Sequence, residues 1–391
     1  MLKKLPAVCA GLLLTLSVFA ATVELNEHHP DTYTVQKGDT LWSISARFLQ
    51  RPWQWPEVWQ ANPQVRNPHL IYPGDVINLA YVNGRPRLGV AGQQDGFGGP
   101  RVRTEAVDDA IKPVPLSAIE DFLKKPRIVS DEDFKHAPHV VGIEDHHING
   151  TTGQLIYVRG LDAAAGQQFA LVRPLGRYYE ITSKDGQPTA TFRQSLEDSD
   201  NRPQMLWHDG PWNFTLHGDV HFIGYEVIQY GTVQVTHAGN PASTLVLSSD
   251  IEVRTGDYVL PLDTVAYDFE YVPHPPRQVP ANMRVIAFTD ALNAVGRLQV
   301  VALSNGANAG VENGQVYSIF SPGDVVSDDT DYPESSTKAF LHPHDSQVQL
   351  PEEYVGHVMV FRTFEHVSYG LIMDGIRPVH LNDRLYEPDH K

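Results

Sequence analysis

Hydrophobic and polar positions follow one rhythm near the N-terminus and another over the second half of the chain. Tyr33, Thr34 and Val35 suit a short strand. Gly38 and Asp39 suit a turn, and Thr40 is placed to cap a helix. Leu41, Ile44, Ser45 and Phe48 then recur at helical spacing, which predicts a helix over about Leu41–Leu49. Pro56 suits a first helical turn, so a second helix is predicted over Glu57–Ala61, ended by Asn62-Pro63. Tyr72-Pro73-Gly74-Asp75 reads as a turn and Val76–Ala80 as a closing strand.

Beyond this segment, residues 89–113 are rich in Gly and poor in apolar side chains, as a linker would be. Over 114–137 a short helix is predicted, with Leu116, Ile119 and Leu123 on one face and Pro126 closing it. From about 138 helical spacing disappears. Short β-branched and aromatic runs alternate with Gly, Pro, Asn and Asp, at Gln154–Val158, Gln168–Val172, Gly224–Val235, Ser243–Leu247, Leu298–Leu303, Val316–Phe320, Val355–Phe361 and Gly370–Met373.

This β-rich half repeats itself. Gly166–Pro174 parallels Gly314–Pro322, Gly153–Val158 parallels Gly296–Val301, and Leu245-Val246-Leu247 followed by Gly256-Asp257 parallels Leu371-Ile372-Met373 followed by Asn382-Asp383. The pattern predicts two related β-domains, 138–275 and 281–391, joined by a proline-rich stretch at Val272–Pro280. The fold class expected is multi-domain α+β: an N-terminal βααβ domain, then a β-rich C-terminal region of duplicated character.

Residues 33–80 resemble a LysM module on Gly38-Asp39-Thr40-Leu41-Trp42, Asn62-Pro63 and Leu70-Ile71-Tyr72-Pro73-Gly74-Asp75. The resemblance implies binding to polymers that contain N-acetylglucosamine, peptidoglycan above all. It places the sugar in a shallow groove between Gly38, Asp39, Thr40 and Leu41 on one side and Asn62, Pro63, Leu70, Ile71 and Tyr72 on the other. The same apolar residues also suit the core of a domain this small, which needs all the apolar contacts it can make. The segment between the predicted helices departs from a minimal LysM, since Trp53, Trp55 and Trp59 crowd it. Two readings stand for Trp53 and Trp55: an enlarged core, or an extra aromatic surface for glycan or a protein partner.

Composition narrows the functional classes. Met1–Ala20 has a basic start and an apolar run from Leu5 to Phe19, too short to span a bilayer comfortably, and Val18-Phe19-Ala20 fits signal-peptide cleavage after Ala20. Such cleavage leaves no further segment expected to insert in a membrane. The single cysteine, Cys9, falls inside that segment, so thiol nucleophiles and thiolate metal ligands are excluded downstream. The formal charge is −17, and −19 without Lys3 and Lys4, which argues against nucleic acid as a partner. His342-Pro343-His344-Asp345 is the nearest approach to a zinc-ligand pattern, yet it lacks the upstream ligands a zinc hydrolase requires. The histidines at 136/139, 146/147, 208 and 217/221 form no motif. No catalytic residue, metal site or cofactor is expected.

The whole plan resembles the LysM-containing, secretin-associated proteins of type IV pilus systems: signal peptide, one LysM, a Gly-rich linker and a repeated β-region. The resemblance is carried by Trp53–Pro63 and Asn67–Asp75, with support from Arg173-Pro174, Arg254–Asp257 and Val355–Arg362. It implies a non-enzymatic periplasmic anchor, associated with cell wall and outer membrane, that ties the outer-membrane secretin to peptidoglycan. A wall-binding scaffold for another envelope machine is the alternative, with a zinc-dependent cell-wall hydrolase behind it.

Overall fold

Each strand and helix of the protein is positioned by short, recurrent local rules. The computed structural model describes residues 23–60, 71–91, 126–182, 188–196, 208–209, 219–262, 271–288, 294–328, 330 and 347–390. The chain divides into two units near residue 109.

In the first unit, β1 (Thr32–Thr34), β2 (Val76–Val82) and β3 (Arg85–Val90) form an antiparallel sheet in that order. Helix α1 is Leu41–Phe48, and a turn of 3-10 helix at Pro52–Gln54 runs into α2 (Trp55–Gln60). Helix α2 begins two residues before the predicted start, with Pro56 inside its first turn. Strand β3 corrects the sequence reading, because Gly89 and Val90, assigned to the linker, pair with Asn78 and Ile77. The hairpin turns at Asn83-Gly84, both at positive φ, the backbone that a two-residue Asn-Gly turn supplies. The linker from residue 92 onward, the predicted helix at 116–123 and Met1–Ala20 lie outside the described residues.

The second unit opens with β4 (Pro126–Val129) and a one-turn helix, α3 (Asp131–Lys135), capped by the Ser130 hydroxyl, which accepts from the Asp133 amide. β4 pairs with a later strand, so residues within 114–137, set apart from the β-domains by the sequence reading, belong to the β-region. Then come β5 (His139–Ile143), β6 (Asn149–Gly150), β7 (Leu155–Arg159), β8 (Gln168–Thr182), β9 (Pro188–Ser195), β10 (His208–Asp209), β11 (Asp219–His237), β12 (Ala242–Ser249), β13 (Val253–Arg254) and β14 (Tyr258–Pro261). Strands β5, β7, β12, β11, β8 and β14 close on themselves as a hydrogen-bonded ring.

A second ring follows from β15 (Val285–Phe288), β16 (Val300–Leu303), β17 (Val316–Ser321), β20 (Glu353–Thr363), β21 (Ser368–Gly375) and β22 (Arg384–Tyr386), closed by an Arg284–Arg384 bridge. Between β17 and β20 lies a two-stranded ribbon of β18 (Val325–Ser327) and β19 (Gln347–Gln349). The cyclic order of the second ring, β15-β16-β21-β20-β17-β22, repeats that of the first, β5-β7-β12-β11-β8-β14. The cores agree position by position. Val140, Ile156, Val158, Val246 and Val259 fill the first, and Val285, Val301, Leu303, Ile372 and Leu385 fill the matching places in the second.

One turn fixes much of this. In residues 151–154, 164–167, 254–257, 296–299, 312–315 and 380–383 the fourth residue is Gln or Asp, and its side chain accepts from the amide of the first. The third residue has positive φ: Gly153, Gly166, Gly256 and Gly314 meet this freely, while Leu298 and Asn382 adopt it against preference. Each turn then clasps one buried Val or Ile by two backbone bonds, Val246, Val235, Val140, Ile372, Val360 and Val285 in that order. The first unit uses the same device, with Tyr72–Asp75 clasping Val35. These turns set the register between the rings. Gly153-Gln154 corresponds to Leu298-Gln299, which corrects the sequence alignment of Gly153 with Gly296.

The rings meet at a buried polar joint. Arg193 Nε lies 2.6 Å from Glu226 Oε2, and Glu226 Oε1 accepts from the Tyr369 hydroxyl of the second ring at 2.6 Å. Thr191 donates to the Ser304 carbonyl across the same joint at 2.8 Å. A Cβ at Gly176 would stand 2.7 Å from the Arg193 guanidinium, so only glycine leaves that cation its place.

Candidate functional site

The loops that the sequence singles out are built by the clasp just described. Val35 N donates to the Asp75 carbonyl and the Val35 carbonyl accepts from Gly74 N, both at 2.8 Å, which fixes where the Tyr72–Asp75 turn lies beside the end of β1. The Asp75 carboxylate accepts from Tyr72 N at 2.9 Å and stiffens the turn. After Val35 the chain turns at Gly38, whose φ of +91° suits glycine, and enters α1 at Leu41. Arg47, in the last turn of α1, stacks over the Tyr33 ring at 4.4 Å.

The predicted glycan residues do not all have the same character. Gly38 is exposed, and Asp39 and Tyr72 are half-buried. Thr40, Leu41 and Ile71 are buried, the last two almost completely. Leu41 and Ile71 therefore serve as core beneath the loops, and the surface they support is made of backbone and polar side chains. Asn62, Pro63 and Leu70 lie outside the described residues.

Trp53 and Trp55 are each only 3 % exposed, so they enlarge the core and offer no extra stacking surface. The cause is local: the tight turn at Pro52–Gln54 continues into α2 and carries both indoles inward. Gln54 between them is wholly buried, and neither end of its amide meets a hydrogen-bond partner.

Among the described residues of the second unit, a buried histidine, His357, pairs with a half-buried carboxylate, Asp374. His357 Nδ1 lies 2.8 Å from Asp374 Oδ1, and His357 Nε2 lies 3.3 Å from the Pro388 carbonyl. Burial pushes its pKa down, but the Asp374 hydrogen bond and charge outweigh this and hold it above the ordinary value. Both ring nitrogens are engaged, so the pair ties the C-terminal segment to β20 and β21 and has no nitrogen to spare for a substrate. Among the described residues no group of three His, Cys, Asp or Glu is placed to hold a metal ion, and His342 and His344 lie outside them. No described helix is long and apolar enough to cross a membrane.

Comparison with known proteins agrees with the geometry of the first unit. Residues 33–80 match the LysM domain. The chain is also similar to the "Uncharacterized protein YqbP" of Bacillus subtilis (strain 168), 35% identical over 60 residues, which are 13% of this chain and 27% of that protein. The chain thus spans about a quarter of the length of the curated relative it matches. A LysM domain binds glycans that contain N-acetylglucosamine, such as peptidoglycan, and occurs in proteins of the cell envelope.

Proposed function

We propose that this protein is a non-enzymatic anchor of the periplasm that holds peptidoglycan through residues 33–80 and ties the outer-membrane secretin of a type IV pilus system to the wall through its tandem β-rings. The observation that carries the reading is the LysM match at 33–80 in a chain whose remaining described bulk is two rings of one cyclic strand order. Their common order and shared turns support an origin by duplication. The glycan would lie across the exposed loops at Gly38-Asp39 and Tyr72, meeting backbone amides and polar side chains, with Leu41 and Ile71 supporting the floor. One such shallow site binds weakly, and many copies around a multimeric partner gain by effective concentration. Cleavage after Ala20 would deliver the chain to the periplasm.

The test is co-sedimentation of the chain from Ala21 with purified sacculi, beside variants Asp39→Trp and Tyr72→Ala and a chain starting after Gly92. The wild type should pellet, the truncation should stay in solution, and each variant should lose binding about tenfold while its thermal melt is unchanged. Release of soluble muropeptides would instead mark an enzyme. Affinity purification from envelopes should return a secretin, and a different envelope assembly in its place would favour the scaffold reading.

A further inference from the structure

The joint between the rings shows what each ring can offer a neighbour. In the first ring, β8 and β11 continue past the ring as a paired ribbon, Gly176–Thr182 with Asp219–Glu226, and β9 lines its edge. This insert seats on the second ring. β10 pairs with β15 at Phe288 and Ala287, Thr191 of β9 bonds Ser304, and Glu226 takes the Tyr369 hydroxyl.

The second ring carries its own ribbon at the same place, between β17 and β20. Here no described strand is paired against the ribbon. Val326 and Val348 are cross-strand partners, and by alternation Leu350 shares their face. All three are exposed, at 39 %, 44 % and 40 %.

The receiving surface also comes in two copies, one covered and one open. Strands β5 and β15 both carry a bulge, between Val140 and Gly142 and between Val285 and Ala287, which turns Val141 and Ile286 outward. Ile286, beside the seated insert, is 6 % exposed, and Val141 is 39 % exposed. On β15 the edge past the Arg284–Arg384 bridge is taken by β10. On β5 the pairing with β14 is confined to His139, and no described strand covers the edge beyond it. Ile148, just past β5, is 87 % exposed.

We propose that the open ribbon of one chain docks on the open β5 edge of a second copy of this chain, repeating between molecules the contact that the two rings make within one. The occupant is a second copy because the covered half of the same arrangement shows which surface takes which. The contact is head-to-tail, so it leaves a free ribbon at one end and a free β5 edge at the other. It therefore propagates, closing as a ring if the rotation allows and otherwise growing as a filament. This stands apart from the glycan reading and does not require it.

Sedimentation velocity of the chain from Ala21 over a concentration series should show reversible growth beyond dimer. Val141→Asp removes the receiving surface, and Val326→Asp with Val348→Asp removes the ribbon. Each variant alone should be monomeric, with self-association weakened about tenfold or more. Mixed in equal amounts they should form a 1:1 dimer that grows no further, because one chain keeps a ribbon and the other keeps an edge. All positions are exposed, and an unchanged thermal melt confirms folding. A wild type that stays monomeric at every soluble concentration overturns the proposal. So does a Val141→Asp chain that associates like wild type, or a mixture of the two variants that stays monomeric.

Discussion

The two rings place an aspartate in the same turn and treat it differently. In the first, Asp257 takes a bidentate bond from Arg173, 2.7 Å to each oxygen, and a third from the Tyr230 hydroxyl at 2.6 Å. In the second, Ser321 falls where Arg173 stands and Val355 where Tyr230 stands, so no described arginine or tyrosine takes their place on Asp383. Asp383 Oδ2 accepts from His380 N at 2.8 Å, and its other oxygen is buried without a partner. Burial, only partly offset by the His380 amide bond and the His380 charge, pushes its pKa up to about 6. The same backbone turn thus tolerates an aspartate in an ion pair or one whose pKa burial raises. The turn needs an acceptor for one amide, and the charge is a separate matter settled by the neighbours.

Removing the cation should give the largest effect. Arg173→Met leaves Asp257 buried and unpaired and should destabilise the second unit by about 3–5 kcal/mol, read from denaturant midpoints at constant slope. Asp383→Asn, which keeps the acceptor and removes the charge, should instead stabilise by roughly 1–2 kcal/mol at pH 8. The sign follows from protons bound. Between about pH 4 and pH 6 the folded chain holds a proton on Asp383 that the unfolded chain has released, so this group's contribution falls as pH rises through that window. A stability–pH profile of Asp383→Asn should lack that fall, and a profile identical to wild type would refute the account. The smallest effect belongs to Leu298, held at φ +64° where the first ring has Gly153. Leu298→Asn should stabilise by about 0.5 kcal/mol, while Gly166→Leu, making the converse change, should cost about 1–2 kcal/mol.

Much of this was legible in the chain. The β-branched runs located β7, β8, β11, β12, β16, β17, β20 and β21, because those strands bury alternating or continuous apolar faces. Short strands such as β5, β14, β15 and β22 escaped, since three to five residues carry too little period to separate from a loop unless a longer apolar run frames them, as Leu298–Leu303 frames β16. The Asn83-Gly84 hairpin was written in the sequence, but the Gly-rich composition from Gly89 onward read as linker. For the glycan loops, Gly38 and the Tyr72–Asp75 turn were legible as backbone requirements. Leu41, Ile71, Trp53 and Trp55 were ambiguous, because an apolar side chain suits a sugar face and a core equally until burial is known. The Arg193–Glu226 joint gave no signal, as its members lie 33 residues apart and Tyr369 a further 143 from Glu226.

That joint has a calorimetric consequence. Opening it would strip Glu226 of the Tyr369 hydroxyl and break the Thr191–Ser304 bond, leaving the Glu226 carboxylate in a newly made gap. Neither ring can then melt first without loosening the other. On heating, both rings should take up their unfolding enthalpy in one endotherm, with calorimetric and van't Hoff values equal over the whole β-region.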